Sequence, residues 1–147
     1  MATDRKKLSK RLFEEVWNKG NLELLEEFNT PNTVIKDPYV PITTKGLVAA
    51  KEYVQFFKKA IPDLFLKIDD QICEGDKVVT FLTATGTHKG EFLGLAPTFK
   101  QASISCIVML RFEGDKIIES YSLWDALGFM RAAGVDLPKM VFAGATA

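Results

Sequence analysis

The stretch LFLKIDDQICEGDKVVTFLTATGTH, residues 64–88, decides the fold. Apolar and polar residues alternate with a period of two on either side of Glu74-Gly75-Asp76-Lys77, the signature of two long strands joined by a tight hairpin. Gly beside Asp accepts the positive φ that such a turn demands. The same tetrapeptide returns as Glu113-Gly114-Asp115-Lys116 between two further β-rich runs, so a second hairpin is expected. The strands read as Leu64–Cys73, Lys77–His88, Thr98–Phe112 and Lys116–Asp125, with Lys89–Pro97 as a loop punctuated by Gly and Pro. Strands this long predict a strongly curved antiparallel sheet.

Upstream of Pro62 the period is helical. Leu8, Leu12, Phe13, Val16 and Trp17 share one face of a helix over Asp4–Lys19, which Gly20 stops. Asn21 is positioned to cap a short second helix through Leu22, Leu24, Leu25 and Phe28, and Thr30-Pro31-Asn32 breaks it. Thr33–Lys36 reads as a short strand ahead of the turn Asp37-Pro38. Thr44 is expected to cap a third helix, Gly46–Ala60, whose broad apolar face holds Leu47, Ala50, Tyr53, Val54 and Phe57. A last helix starts near Asp125 and stops at Gly134, and a tail over 135–147 is expected to fray. Three helices followed by a meander of strands is an α+β pattern, a single domain over residues 1–147 with its core at about 8–134. Helices covering a curved sheet make a cone-shaped α+β barrel whose interior can take a ligand.

Composition narrows the classes of function. The 147 residues are 47% hydrophobic and 26% charged, with 19 basic side chains against 19 acidic ones. This balance excludes a disordered tail, a collagen-like repeat and a strongly basic nucleic-acid binder. The longest apolar runs, such as Ile104–Leu110, fall far short of the ~18–20 residues of a membrane span. Asp4-Arg5-Lys6-Lys7 leads into an amphipathic pattern with no apolar signal core, so a cytoplasmic protein is expected. Cys73 and Cys106 lie in strand-like runs and are expected to be buried free thiols. With one histidine and no clustered cysteines, no metal site is expected, and no P-loop or dinucleotide motif calls for a cofactor. The 11 Phe, 3 Tyr and 2 Trp supply ring surface for a core, for an apolar pocket wall, or for both.

Five segments occur in one order: Glu15-Val16-Trp17-Asn18-Lys19-Gly20-Asn21, Ala60-Ile61-Pro62-Asp63-Leu64, Glu74-Gly75-Asp76-Lys77-Val78-Val79, Gly86-Thr87-His88-Lys89-Gly90-Glu91-Phe92-Leu93-Gly94, and Gly114-Asp115-Lys116-Ile117-Ile118-Glu119 running on to Trp124-Asp125. Together they resemble the SnoaL-like polyketide (ester) cyclase family over about Leu8–Gly134. The resemblance implies the cone-shaped fold of the nuclear-transport-factor-like superfamily, which also serves ketosteroid isomerases and limonene epoxide hydrolases. Because that fold hosts several chemistries, it does not by itself assign a reaction.

By this resemblance Asp125 matches the family's acid/base aspartate. A carboxylate in an aromatic cavity has its pKa raised toward working pH, whereas a carboxylate at this strand-to-helix junction can equally serve as an N-cap. His88 shares the parity of Val78, Leu82, Ala84 and Gly86. It reads either as a group that polarises a carbonyl or as a strand-end residue. Tyr121 shares a strand face with Leu123 and Asp125, as an oxyanion donor or as half of a cross-strand pair. Lys36 replaces the histidine of the family's His-Asp-Pro segment, and Asp37 beside it reads as a turn residue or an acid. Val108 stands where the resemblance places a polar His or Asp. Phe13, Trp17, Tyr53, Phe56 and Phe57 lie on the covering helices, and with Lys36, Asp37 and Val108 they form the expected substrate pocket.

The reading that follows is a cofactor-independent cyclase or isomerase. An Asp general acid/base would close a ring by aldol-type chemistry, or isomerise, an apolar polyketide- or terpenoid-like small molecule. A non-catalytic lipophilic-ligand carrier of the same fold is the alternative, and an epoxide hydrolase a third. No nucleic acid or membrane partner is expected, and two copies are expected to pair through the outer sheet face.

Overall fold

The computed structural model describes residues 4–135. Helix α1 (Arg5–Arg11) is capped by Asp4, which accepts the Lys7 N–H at 3.1 Å, and it widens without a break into a π-helical segment, Leu12–Asn18. Lys19 N–H accordingly bonds back five residues, to the Glu14 carbonyl. At the end of that segment Asn18 donates to the Leu66 carbonyl and accepts the Leu66 N–H, at 2.9 and 2.8 Å. One amide thereby satisfies open backbone groups of a sheet edge and docks the helix on it.

A 3₁₀ turn (Leu22–Leu24) leads into α2 (Leu25–Phe28) and β1 (Asn29–Lys36). After α3 (Gly46–Ala60) come β2 (Phe65–Glu74), β3 (Lys77–Thr87), β4 (Gln101–Glu113), β5 (Lys116–Trp124) and α4 (Ala126–Ala132). The strands form one sheet in the order β1-β5-β4-β3-β2. Four of them make the expected antiparallel meander, and Gly75 and Gly114 take the positive φ that the two hairpins require. The edge is different. β1 runs parallel to β5, so the sheet is mixed, and it starts at Asn29 instead of Thr33, with Thr30-Pro31-Asn32 lying in a register irregularity just after the end of α2.

Two bulges curve the sheet. Asp69 on β2 and Ile118 on β5 are each extra relative to the neighbouring strand, since pairing skips from Ile68 to Asp70 and from Glu119 to Ile117. The concave face carries Leu66, Val78, Leu82, Val108, Leu110, Phe112 and Ile117. Against it pack Leu12, Phe13, Val16, Leu25, Phe28, Tyr53 and Val54 from the helices, closing a cone.

Three local expectations are corrected. Thr44 does not cap α3, because its hydroxyl donates to Glu52 and Lys45 precedes the helix with no side-chain cap. Cys73 is an exposed thiol near the hairpin, while Cys106 is half-buried, and both are free. β4 begins at Gln101 and not at Thr98, since the backbone N–H groups of Thr98 and Phe99 are taken by His88. The expected tail falls largely on residues 136–147, outside the described residues. No helix among the described residues is long and apolar enough to cross a membrane.

Gly46, at φ +66°, starts α3 with its α-carbon so close to Pro31 that an added Cβ would strike the Pro31 carbonyl, whereas Gly20, at φ +78°, has open space around it. Gly20→Ala should therefore cost only the left-handed backbone penalty, about 1 kcal/mol, and Gly46→Ala about 1–3 kcal/mol more. Urea unfolding of the two variants checks this, and equal losses would contradict it.

Candidate active site

Inside the cone lies a cavity of about 110 Å³ with a wall that is almost wholly apolar. The helices supply Phe13 and Trp17 from the π-helical segment and Tyr53 and Phe57 from α3, each pair four residues apart so that both rings point the same way. The sheet supplies Cys106 and Val108 from β4, and Ser120, Ser122 and Trp124 from β5. The rings meet edge to face. Trp17 lies 5.8 Å from Tyr53, Tyr53 5.1 Å from Phe57, and Phe57 5.8 Å from Trp124.

One carboxylate is bonded to this wall. Asp37, half-buried just after β1, accepts the Tyr53 hydroxyl on Oδ2 at 2.6 Å and the Trp124 indole N–H on the same oxygen at 2.9 Å. Its Oδ1 accepts the Tyr39 N–H at 2.8 Å. Asp37 thus stands one hydrogen bond behind two rings that line the cavity. Burial, and next the negative charge of Asp37, push the Tyr53 ionisation far above that of an ordinary phenol, while the nearby Ser122 hydroxyl acts in the opposite sense. Burial and then Asp37 also push the Cys106 thiol up to about 12, so it stays a neutral, unreactive SH.

The other expected residues fall elsewhere. Asp125 is exposed, lies outside the cavity lining, and caps α4 by accepting the Gly128 N–H on Oδ1 at 2.8 Å. Tyr121 does share a face with Leu123, but that face is the outer one, where Tyr121 is 39% exposed. The cause is the bulge at Ile118. It reverses the alternation after Ile117, turning Ser120, Ser122 and Trp124 inward and Glu119, Tyr121 and Leu123 outward. Lys36 is also outside the pocket, because Ile35 takes the inward position of β1, and its ammonium pairs with Glu119 on the outer face at 2.8 Å. That lysine, followed by Arg111, holds the Glu119 carboxyl below its ordinary pKa.

His88 is 1% exposed but does not line the cavity. Its Nδ1 lies 3.3 Å from the Thr98 N–H and 3.1 Å from the Thr98 hydroxyl, and its Nε2 is a buried atom with no hydrogen-bond partner. With its own backbone bonded to Lys100 and Phe99, it clasps the root of the β3–β4 loop. Phe56 supports the wall from behind, packing on Phe57 and Phe92 at 5.3 and 5.5 Å. Among the described residues no group of three or more His, Cys, Asp or Glu side chains could hold a metal ion.

The sequence reading missed Phe92, Cys106, Ser122 and Trp124 as wall residues. The adjacent Ile117-Ile118 pair was the available signal for the β5 residues, since two neighbouring β-branched residues fit either alternation and mark where a bulge can sit.

A curved sheet covered by helices around an apolar cavity, with a hydrogen-bonded carboxylate just behind the wall, defines an α+β barrel with room for a small molecule. Residues 7–133 match the profile of the SnoaL-like polyketide cyclases, and the chain belongs to that family. Among solved structures it is similar to IdmH of Streptomyces antibioticus, a candidate polyketide cyclase, at 28% identity and a TM-score of 0.76 over 90% of this chain and 100% of that one. A candidate polyketide cyclase of Acidithiobacillus ferrooxidans shares 27% identity with a TM-score of 0.79, covering 92% and 99% of the two chains. AclR of Streptomyces galilaeus, a candidate hydroxylase, shares 26% with a TM-score of 0.78, covering 95% and 90%. No curated protein matches the chain in sequence.

Tyr53→Phe removes one of three donors to Asp37 and should cost about 1–3 kcal/mol at neutral pH. A phenol whose ionisation is raised in the folded state contributes stability that is whole below the unfolded pKa and declines as pH rises above it. The advantage of the wild type over Tyr53→Phe should therefore shrink above about pH 10. Urea titrations from pH 7 to 11 measure the gap, and a constant gap would contradict the assignment.

Proposed function

We propose that the chain is a cofactor-independent cyclase or isomerase of a polyketide- or terpenoid-like small molecule, with Asp37 as the acid/base carboxylate. The observation that carries this reading is the pair of hydrogen bonds from Tyr53 and Trp124, both cavity-wall residues, to a single carboxylate oxygen. Proton transfer runs through the phenol. As the substrate carbon α to a carbonyl gives its proton to Tyr53 Oη, breaking the C–H bond, Tyr53 passes its own proton to Asp37 Oδ2, and the phenol is neutral before and after. The resistance of Tyr53 to ionisation suits this role, because the negative charge passes from Asp37 to the enolate and does not rest on the ring. The enolate left behind attacks a second carbonyl of the same molecule, forming the ring C–C bond. The alkoxide then takes the proton back along the same route, so the product is an isomer of the substrate. Ser122, buried on the wall beside Tyr53, is placed to donate to the enolate oxygen.

The carrier reading draws on a different observation, the apolar character of most of the wall and Val108 on its floor. The two separate on turnover. Asp37→Asn should lower turnover by ~100-fold or more with ligand affinity retained, while Asp125→Asn should leave turnover within about threefold. An unchanged rate in Asp37→Asn would overturn the assignment to Asp37, and ligand binding without turnover in the wild type would leave the carrier reading standing. Comparable losses in both variants would count against the assignment to Asp37.

Pairing of two copies belongs to the same proposal. Two cross-strand rows of the outer face, Phe81–Ile107–Leu123 and Val79–Met109–Tyr121, make a continuous apolar patch in which Leu123 is 46% exposed. Light scattering should report a dimer for the wild type and a monomer for Ile107→Glu/Leu123→Lys. A wild-type monomer at high concentration would refute the pairing.

A further inference from the structure

We infer that Phe92 sets the size limit of the ligand, and that the ligand class is a single carbocyclic ring, or an acyclic chain of that girth closing to one ring. The inference rests on the reading that the cavity is the ligand site, and it does not depend on the chemistry assigned to Asp37. Volume is the first argument. A closed apolar cavity of about 150 Å³ accepts benzene, and pockets for drug-sized ligands run to about 300–1,000 Å³. The cavity here, at about 110 Å³, is near the first figure and well below the second.

What bounds it is the second argument. Phe92 is buried on the cavity wall, yet it comes from the loop between β3 and β4 and not from the sheet or a covering helix. Its ring touches four others: Phe129 at 5.0 Å, Phe56 at 5.5 Å, and Phe57 and Trp124 at 5.7 Å each. It therefore joins the α3 side of the wall to the β5–α4 side. The loop is folded to hold it there. Phe92 and Leu95 exchange both backbone hydrogen bonds, at 3.0 and 2.9 Å, across a two-residue turn in which Leu93 and Gly94 both have positive φ, +51° and +82°. A leucine in that region is strained, the tight turn fixes the backbone at Phe92, and the four ring contacts hold its side chain in place. Within the wall, a second fused ring on the Phe92 side would meet the Phe92 ring, and removing that ring would make room for it.

Calorimetric titration with p-cresol, 2-naphthol and anthrone tests the limit with one, two and three rings. The wild type should bind p-cresol saturably, 2-naphthol at least tenfold more weakly, and anthrone not at all. Phe92→Ala should shift the ratio of 2-naphthol to p-cresol affinity by tenfold or more in favour of the larger ring. Phe92→Leu, a milder truncation to be used should Phe92→Ala not fold, should shift it in the same direction. Failure of the wild type to bind p-cresol, equal affinity for the larger probes, or an unchanged ratio in a folded Phe92 variant would each overturn the inference. Asp37→Asn should keep the wild-type size order. Should it also keep full turnover, the acid/base reading fails while the size limit stands.

Discussion

Ile118 has no partner on β4, and the contents of the cavity follow from that single unpaired residue. Before it, Ile117 faces the core, and after it Ser120, Ser122 and Trp124 do. Without the extra residue, alternation from Ile117 would send Glu119, Tyr121 and Leu123 into the cone and put Trp124 outside. The cavity would then hold a carboxylate whose present partners, Lys36 and Arg111, lie on the other face. Curvature and wall chemistry thus have one origin. The bulge that bends the sheet is also the device that selects which half of β5 a ligand meets.

Asp37 depends on that selection. A half-buried carboxylate beside an apolar cavity is tolerable when its oxygens are well supplied with donors, and three N–H or O–H groups supply them here. Two of those donors are aromatic residues whose rings are simultaneously wall. The polar station therefore costs the cavity little apolar surface, since the rings of Tyr53 and Trp124 are part of the wall while their O–H and N–H groups bond Asp37. Burial, and after it the negative charge of Asp37, keeps Cys106 a neutral thiol.

What could be read from the sequence was what local chemistry specifies. Glu74-Gly75-Asp76-Lys77 and its copy at 113–116 announce their hairpins because the turn residues alone define the conformation. The helical face carrying Phe13, Trp17, Tyr53 and Phe57 was equally open to view, because period and side-chain type coincide there. The facing of β5 was not, because a bulge is defined by the partner strand and not by the strand that contains it. Asp37 shows both situations in one side chain. Its Oδ1 bonds to the N–H two residues on, which is the turn role that the following proline suggested. Its Oδ2 meets groups 16 and 87 residues away, contacts that no local pattern can encode.

The neighbouring positions 124 and 125 tie the site to the fold more tightly than either residue alone. With Trp124 turned inward to reach Asp37, the next residue must point away from the cavity, and there the chain starts α4. Asp125 is consequently free to satisfy the Gly128 N–H, a use for which an aspartate is well suited. Bringing Asp125 into the cone would require the opposite alternation. That would expel Trp124, strip one donor from Asp37 and leave an N–H at the start of α4 without its side-chain partner. An inward-facing Asp125 and the observed Asp37–Trp124 bond are therefore alternatives set by a single strand register. The packing of Trp124 against Tyr39, Phe57 and Phe92 favours the register that makes Asp37 the carboxylate at the wall.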